Sequence, residues 1–169
     1  MQIIEVEAGD ARYAQMLGRF PSTARYIADP ADDGDYHFFA AVMDDGRIVG
    51  GAVIDVGPME FGPFKDVTIG FLEDIEVDAT CRRRGIGTAL LQAVLAYAWR
   101  RGAQHVRWTV DWANAAGLGF YRHAGAAILP EGDSPEQAEP YYTCAVARPT
   151  HVTTSDHHAP DPPQAFAGG

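Results

Sequence analysis

The residues best suited to chemistry lie in one stretch, from Glu73 to Arg101. It contains the spacing Arg-x-x-Gly-x-Gly, from Arg82 to Gly87, directly before an apolar pattern of helical period. Glycines let a ligand approach the backbone closely, and the start of a helix offers unpaired N–H groups and the positive end of the helix dipole. With the arginines, these features predict a cradle for a pyrophosphate group. The alternative is an ordinary strand-to-helix turn with arginines on the surface.

Charge is unevenly distributed along the chain. The formal net charge is −10 at pH 7, which argues against broad nucleic-acid binding because such proteins need a net positive surface. The stretch from Cys81 to Arg101 nevertheless contains five arginines and no acid. A single small anion site inside an acidic protein fits this distribution. The arginines are Arg82, Arg83, Arg84, Arg100 and Arg101.

Length and composition indicate one folded domain followed by a flexible tail. With 169 residues, of which 47% are hydrophobic and 21% charged, the chain is long enough for a single domain with a substantial core. We expect this domain over residues 1–148. Residues 149–169 contain four prolines and two glycines among polar side chains, so they have too little apolar area to offset the loss of chain entropy. We predict a flexible tail there, in which His157 and His158 are solvated and bind no metal.

Composition also argues against several other classes of protein. No apolar run approaches the roughly 20 residues that span a bilayer, so we expect no membrane insertion. Glu5, Glu7 and Asp10 stand where a secretory signal needs a basic start and an apolar centre, which predicts a cytoplasmic protein. Cys81 and Cys144 are too few for a disulfide scaffold or a Cys-rich metal site. We expect both cysteines to be small packing residues.

The strands and helices predicted around the arginine and glycine loop indicate a mixed α/β fold. A strand pattern from Asp66 to Val77 precedes the loop, and apolar residues recur at helical spacing from Leu90 to Trp99 after it. Gly102 then stands where a helix-ending glycine belongs. The order of elements is β-α-α-β-β-β-α-β-α-β-β, with one parallel crossover at its centre.

A hairpin and several short elements complete this prediction. The runs His37 to Met43 and Arg47 to Val56 flank Asp44-Asp45-Gly46, and we expect the Asp-Gly pair to supply the positive φ angles of a tight hairpin turn. The other predicted helices are Asp10 to Leu17, Ser22 to Ala28 and Asn114 to Ala124; the other predicted strands are Gln2 to Val6, His105 to Val110, Ala126 to Leu129 and Tyr141 to Ala147.

Four separate motifs match one known family in order and spacing. They are Leu72-Glu73-Asp74-Ile75-Glu76-Val77, Arg82-x-x-Gly85-x-Gly87, Asp111-Trp112-Ala113-Asn114 and Phe120-Tyr121-Arg122-x-x-Gly125-Ala126. With these motifs the chain resembles the GNAT superfamily of acyl-CoA-dependent N-acyltransferases, and within it most the diamine and polyamine N-acetyltransferases. The match runs from about Arg47 to Ala126, nearly half of the chain.

The resemblance implies a fold, a co-substrate and a set of site residues. The implied fold is mixed α/β, with a mostly antiparallel sheet of about seven strands and a central β-α-β crossover that binds acetyl-CoA. Acetyl-CoA would be the co-substrate, with no metal, and the protein would be a homodimer. Tyr121 would be the general acid beside the thioester sulfur, and Glu73 the general base, commonly through water. The residues placed against acetyl-CoA are Ile75, Val77, Arg82, Arg83, Arg84, Gly85, Ile86, Gly87, Asn114 and Tyr121.

The sequence departs from the family pattern in three places. Ala113 is an extra residue between Trp112 and Asn114. Gly117 and Gly119 occupy a helix interior, at about 1 kcal/mol each relative to alanine. Residues 130–140 differ from the polyamine enzymes. The first two departures affect how Asn114 and Tyr121 align with the family's motif. The third affects the prediction of the acceptor.

The required chemistry can be weighed from pKa values. A primary amine of pKa near 10.4 is nucleophilic only when neutral, and deprotonating it at pH 7 costs roughly 4.6 kcal/mol. Glu73 is the natural proton acceptor, either with its pKa raised by burial or, as we favour, by positioning a water relay. Full proton transfer from a tyrosine of pKa near 10 to a thiolate of pKa near 8.5 would be uphill by about 2 kcal/mol. We therefore expect Tyr121 to donate a hydrogen bond that strengthens as charge builds on sulfur.

Each assignment has a structural alternative. Tyr121 could be a packing residue, and Trp112 could either shape the acceptor pocket or be a buried structural tryptophan. Strand alternation places Glu73 on the opposite face from Asp74, Glu76 and Asp78, so either Glu73 or Glu76 binds the substrate. Seven acids against one lysine between Asp55 and Asp78 could line a cleft for a cationic amine or form a solvated acidic face.

These observations predict an acetyl-CoA-dependent N-acetyltransferase for a small cationic amine such as a diamine, a polyamine or a lysine-like compound. The alternative acceptors are an antibiotic amine and a protein N-terminus or lysine. A non-catalytic acyl-CoA sensor is a third possibility from another functional class.

Overall fold

The computed structural model describes residues 1–7, 9–20, 22, 34–58, 65–130 and 141–149. Seven strands form one sheet in these residues, and three helices pack on it. The strands are β1 (Gln2–Val6), β2 (Tyr36–Val42), β3 (Ile48–Pro58), β4 (Thr68–Val77), β5 (His105–Asp111), β6 (Ala127–Pro130) and β7 (Tyr141–Ala147). The helices are α1 (Ala11–Arg19), α2 (Ile86–Arg100) and α3 (Ala115–His123), and a short 3₁₀ turn covers Ala79–Cys81.

The sheet has the order β1-β2-β3-β4-β5-β7-β6. Only the central pair, β4 and β5, is parallel, and α2 connects these two strands. All the other neighbouring strands pair in the antiparallel direction. This confirms the predicted mixed α/β fold with a mostly antiparallel sheet and one β-α-β crossover at its centre.

Two apolar clusters form on opposite faces of the sheet. On one face Met16 and Phe20 pack with Val53, so the cluster fixes α1 against β3. On the other face the larger cluster includes Leu90 and Val94 of α2. The helix approaches the sheet closely there because β3 carries Gly50: a Cβ at this position would lie 2.9 Å from the Glu76 carbonyl oxygen and 3.0 Å from Leu90.

The β2–β3 hairpin is confirmed, but its predicted turn is wrong in one detail. Only Gly46 has a positive φ, of 81°. The turn closes with hydrogen bonds from the Gly46 N–H to the Met43 carbonyl and from the Met43 N–H to the Arg47 carbonyl, both at 2.9 Å. The connection is therefore longer than the tight two-residue turn that would need positive φ at both Asp45 and Gly46.

A bulge in β4 overturns the argument from strand alternation at Glu73. Leu72 pairs with Ile54, whereas Asp74 pairs with Val53, so β4 has one extra residue opposite β3. As a result Leu72 and Ile75, three residues apart, both pack on the cluster beneath α2, which uninterrupted alternation forbids. Alternation therefore does not separate Glu73 from Asp74 as expected.

Several sequence predictions concern residues outside the described ranges. The helical pattern Ser22 to Ala28 lies there except for Ser22, as do residues 131–140 and residues 150–169 of the predicted tail. Cys81 and Cys144 are both buried and unpaired, as expected for packing residues. None of the described helices is long and apolar enough to cross a membrane.

Candidate active site

The site begins where the two central strands separate. β4 and β5 pair only between residues 69–71 and residues 105–107. Beyond Phe71, the edge of β4 that faces β5 has no strand neighbour among the described residues, although β4 continues to Val77. Backbone groups around Ile75 and Val77 therefore lie beside an opening in the sheet, where an extended ligand can run along the strand.

A cleft of about 1140 Å³ occupies this opening, between α2 and α3. It contains residues from the end of β4, the loop before α2, the first turn of α2 and one face of α3. The lining residues are Ile75, Glu76, Val77, Ala79, Arg82, Arg83, Gly85, Ile86, Gly87, Thr88, Asn114, Ala116, Gly117, Gly119, Phe120, Tyr121 and His123. Most of the predicted cofactor-binding residues are in this set, and Arg84, which is exposed, is not.

The loop before α2 has the geometry of an anion cradle. Gly85 is the N-cap of α2 with φ 78°, and none of the described side chains caps the helix there. The first N–H groups of α2 are thus left for a ligand, at the positive end of the helix dipole. Arg83 also adopts a positive φ, of 59°, which is uncommon for a residue other than glycine. The Nε of Arg82 donates to the Val77 carbonyl oxygen at 3.0 Å, which holds the loop against the end of β4.

Asn114 starts helix α3 and explains one of its glycines. Its Oδ1 accepts a hydrogen bond of 2.8 Å from the Gly117 N–H, so Asn114 is the N-cap. A Cβ at Gly117 would lie 2.6 Å from Asn114 Nδ2, so the capping side chain would have to shift to admit a larger residue there. A Cβ at Gly119 would meet nothing within 4 Å, and Gly119 lines the cleft. Both glycines lower the helix propensity of α3. Gly117 leaves room for the capping side chain of Asn114, and Gly119 leaves open space in the cleft.

Tyr121 lies both in the core and at the cleft. Its ring contacts those of Trp108, at 4.9 Å between centroids, and Phe120, at 5.0 Å. Burial raises the pKa of the Tyr121 hydroxyl well above its usual value, with further increases from the Cys144 thiol and the Asp74 carboxylate nearby. The phenol therefore stays protonated at every ordinary pH. This suits a hydrogen-bond donor and makes full proton transfer less favourable.

The acids near the end of β4 have different environments. Glu76 lines the cleft and accepts a hydrogen bond of 2.9 Å from Ser22 Oγ. Asp78 forms an ion pair with Arg19, so its charge is compensated and it does not belong to a cluster of acids open to a cationic amine. Glu73, at the bulge, is not among the residues that line the cleft.

Trp112 is exposed, with 43% of its surface accessible, so the alternative of a buried structural tryptophan is wrong. Its ring lies 5.8 Å from that of Tyr142, centroid to centroid. Trp112 follows the end of β5, and Tyr142 lies in β7, where it pairs with Val110 of β5.

Sequence reasoning missed His123 and Thr88 as residues of the cleft. His123 is an exposed residue at the end of α3, and it also lines the cleft. The signal was its helical spacing, since Ala116, Phe120 and His123 recur at the interval that places residues on one helix face. Thr88 lies one residue beyond the glycine motif, in the first turn of α2.

The geometry and a family comparison agree on the class of protein. Residues 5–126 match the model of the acetyltransferase (GNAT) family, which is most of the described domain. The chain therefore belongs to the GNAT acetyltransferase family.

Individual proteins match the chain at moderate identity and over part of their length. The chain is 34% identical to the streptothricin acetyltransferase of Streptomyces lavendulae over 97 residues, which are 57% of this chain and 48% of that protein. It thus spans about half the length of this curated relative.

Solved structures share the fold at low identity. Arabidopsis thaliana NAA60 in complex with acetyl-CoA superposes with a TM-score of 0.63 at 17% identity, over 86% of this chain and 98% of that one. An aminoglycoside acetyltransferase from an uncultured soil metagenomic sample, in complex with sisomicin, gives a TM-score of 0.57 at 20% identity, over 80% and 90% of the two chains.

One substitution tests whether Asn114 contacts CoA in addition to capping α3. Asn114→Asp keeps an oxygen that caps α3 and adds a negative charge at the helix N-terminus, so we expect the melting temperature to stay the same or to rise slightly. The substitution removes the Nδ2 donor, and we expect the affinity for CoA to fall by about three- to tenfold. Calorimetry with CoA and thermal unfolding measure the two effects. An unchanged affinity would limit Asn114 to capping.

Proposed function

We propose that the protein is an acetyl-CoA-dependent N-acetyltransferase whose acceptor is the primary amine of a small cationic compound. The observation that carries the proposal is the cleft at the separation of β4 and β5, which joins an uncapped helix start to Tyr121. Family membership supports the same activity.

The cofactor would bind along the length of this cleft. The pyrophosphate of acetyl-CoA would bind the first N–H groups of α2, with Arg82 and Arg83 nearby. The pantetheine arm would follow the open edge of β4 beside Ile75 and Val77. These placements bring the thioester between Asn114 and Tyr121, which lie on the facing side of the cleft. Acetyl-CoA supplies the activated acetyl group.

The chain's own residues would then accept a proton from the amine and donate a hydrogen bond to the sulfur. The ammonium group of the acceptor must lose a proton before it can attack the thioester carbon, at a cost of roughly 4.6 kcal/mol at pH 7. Glu73 would accept that proton, directly or through water. The protonated Tyr121 would donate a hydrogen bond to the sulfur as the carbon–sulfur bond breaks and the thiolate forms. The second proton on the attacking nitrogen would pass through water to the departing thiolate, which leaves as the CoA thiol. Its raised pKa fits this role.

Glu76 and Trp112 would bind the acceptor. Glu76 is oriented by Ser22 and lies in the cleft, where its carboxylate would attract a cation. The exposed ring of Trp112 could contact an ammonium group by a cation–π interaction. We propose a diamine, a polyamine or a lysine-like amine as the acceptor, in a homodimeric enzyme.

An antibiotic amine is the second candidate acceptor. The similarity to a streptothricin acetyltransferase, at 34% identity over 97 residues, favours this candidate over a protein N-terminus.

A panel of amines tests the proposal. Acetyl-CoA is mixed with the protein and with a diamine, a polyamine, lysine, streptothricin, an aminoglycoside or a peptide with a free N-terminus, and released thiol is measured. We expect small cationic amines to give the highest kcat/KM and a neutral primary amine of similar size to give a higher KM. Binding of CoA without acetylation of any amine would instead indicate a non-catalytic acyl-CoA sensor.

A further inference from the structure

An ion pair joins helix α1 to the end of β4. Arg19 is the last residue of α1, and its guanidinium contacts the carboxylate of Asp78, 59 residues further along the chain. The Asp78 side chain is 16% exposed and the Arg19 side chain 43%, so the acid is the more enclosed partner. Two residues before Asp78, Glu76 accepts from Ser22, three residues after Arg19. The end of α1 and the residues just after it therefore make two contacts with the end of β4 and the residue that follows it.

Asp78 also orders the residues that lead from β4 into the Arg82–Gly87 loop. Its Oδ1 accepts hydrogen bonds from the Thr80 N–H at 2.9 Å and from Thr80 Oγ1 at 2.7 Å, which caps the 3₁₀ turn Ala79–Cys81. Its own N–H donates to the Val49 carbonyl at 2.9 Å. Arg82, the residue after the turn, contacts the Val77 carbonyl through Nε. The segment between β4 and the Arg82–Gly87 loop is thus held by hydrogen bonds at both of its ends.

Charge gives Arg19 a second effect on this loop. The hydrogen bonds from Arg19 and Thr80 hold the pKa of Asp78 well below its usual range, so the carboxylate is ionised at neutral pH. An ionised carboxylate four residues before Arg82 would oppose a pyrophosphate if nothing compensated it. Arg19 supplies the compensating charge from another element, and it does not itself line the cleft.

We propose that Arg19 is a positioning residue for acetyl-CoA, which acts through Asp78 on the geometry and the charge of the Arg82–Gly87 loop. This inference rests on the proposed use of that loop to bind acetyl-CoA. It predicts an effect on cofactor affinity rather than on the chemical step, because Arg19 contacts neither the thioester nor the acceptor.

Calorimetry with CoA, together with KM for acetyl-CoA and kcat, tests the inference on the variants Arg19→Ala, Asp78→Asn and the double variant. For Arg19→Ala we expect about a three- to tenfold rise in the Kd for CoA and in the KM, with kcat within about twofold of the wild type. Asp78→Asn should have a smaller effect, because the amide oxygen still accepts from Thr80 and the charge left unpaired, that of Arg19, is a cation that does not oppose a pyrophosphate. The double variant should bind CoA no more weakly than Arg19→Ala, since both changes act on one pair.

Two control variants exclude a merely structural effect. Arg12→Ala removes an ion pair with Asp10 at the other end of α1, and it should leave CoA affinity unchanged. Arg19→Lys restores the positive charge and should recover part of the affinity. Unchanged CoA affinity in Arg19→Ala, additive losses in the double variant, or an equal loss in Arg12→Ala would overturn the inference. CoA binding is measured without an acceptor, so a wild-type protein that does not bind CoA would overturn the proposed function as well.

Discussion

Replacing Tyr121 by phenylalanine should lower kcat by about 10- to 100-fold, which reaches only the lower limit of the range of about 10²–10⁴ that is usual for a general acid. The substitution keeps the ring, and with it the contacts to Trp108 and Phe120. It removes the hydroxyl that would donate a hydrogen bond to the departing thiolate. Because that bond strengthens only as the carbon–sulfur bond breaks, the KM for acetyl-CoA should change little. Steady-state kinetics with saturating acceptor measure both constants.

A second tyrosine supplies the matched control for this experiment. Tyr97 is also buried in the larger apolar cluster, and its ring contacts His37 and Phe39 near the other end of α2. Tyr97→Phe removes a hydroxyl far from the cleft, so kcat should stay within about twofold of the wild type. Equal kcat values for Tyr121→Phe and the wild type would make Tyr121 a packing residue. In the wild type the alkaline side of the kcat profile should show no ionisation of Tyr121 below pH 10, since burial raises its pKa.

Replacing Glu73 by glutamine should lower kcat/KM by about 10- to 100-fold at pH 7, and the defect should shrink toward pH 9–10. The reason lies in the acceptor, whose amine of pKa near 10.4 is almost entirely protonated at neutral pH and increasingly neutral above it. A proton acceptor on the protein therefore matters most at low pH. Affinity for CoA should hardly change, because the proposed pyrophosphate site lies in the Arg82–Gly87 loop and not at this carboxylate.

The equivalent change at Glu76 decides between the two acids. If Glu76 only attracts the cation, Glu76→Gln should raise the KM for the amine wherever the amine is charged and leave kcat nearly unchanged. A pH-dependent loss of kcat/KM in Glu76→Gln, with wild-type kinetics in Glu73→Gln, would reverse the two assignments. A rise in KM without the pH trend in Glu73→Gln would make its role electrostatic.

The local parts of the site could be predicted from the residues themselves. The Arg82–Gly87 loop is recognisable because its glycines, its arginines and the helical period that follows are all features of adjacent residues. The same holds for Asn114 as the start of α3 and for Gly102 as a helix-ending residue, which adopts a positive φ. Local patterns also predicted the order of the strands and helices that the described residues form.

Other features depend on which residues meet across the fold. Strand alternation is a local rule, and it fails at Glu73 because β4 carries an extra residue that shows only in its register against β3. The turn at Gly46 differs from expectation because its type depends on how β2 and β3 pair around it. The exposure of Trp112 likewise depends on what packs beside it, which its own position at the end of a strand does not indicate.

By itself, the sequence determined the family and the local pattern of the Arg82–Gly87 loop, and it named Glu73 and Tyr121 as the residues for which we propose roles in proton transfer and hydrogen bonding. The cleft, by contrast, exists because β4 and β5 pair over only three residues and then separate, and this pairing joins residues that are distant along the chain. The Arg19–Asp78 pair joins residues 59 positions apart, and the close contact of Gly117 with Asn114 depends on how a side chain folds back onto its helix. These are contacts in space, and their energies depend on distance and burial rather than on the spacing of residues along the chain.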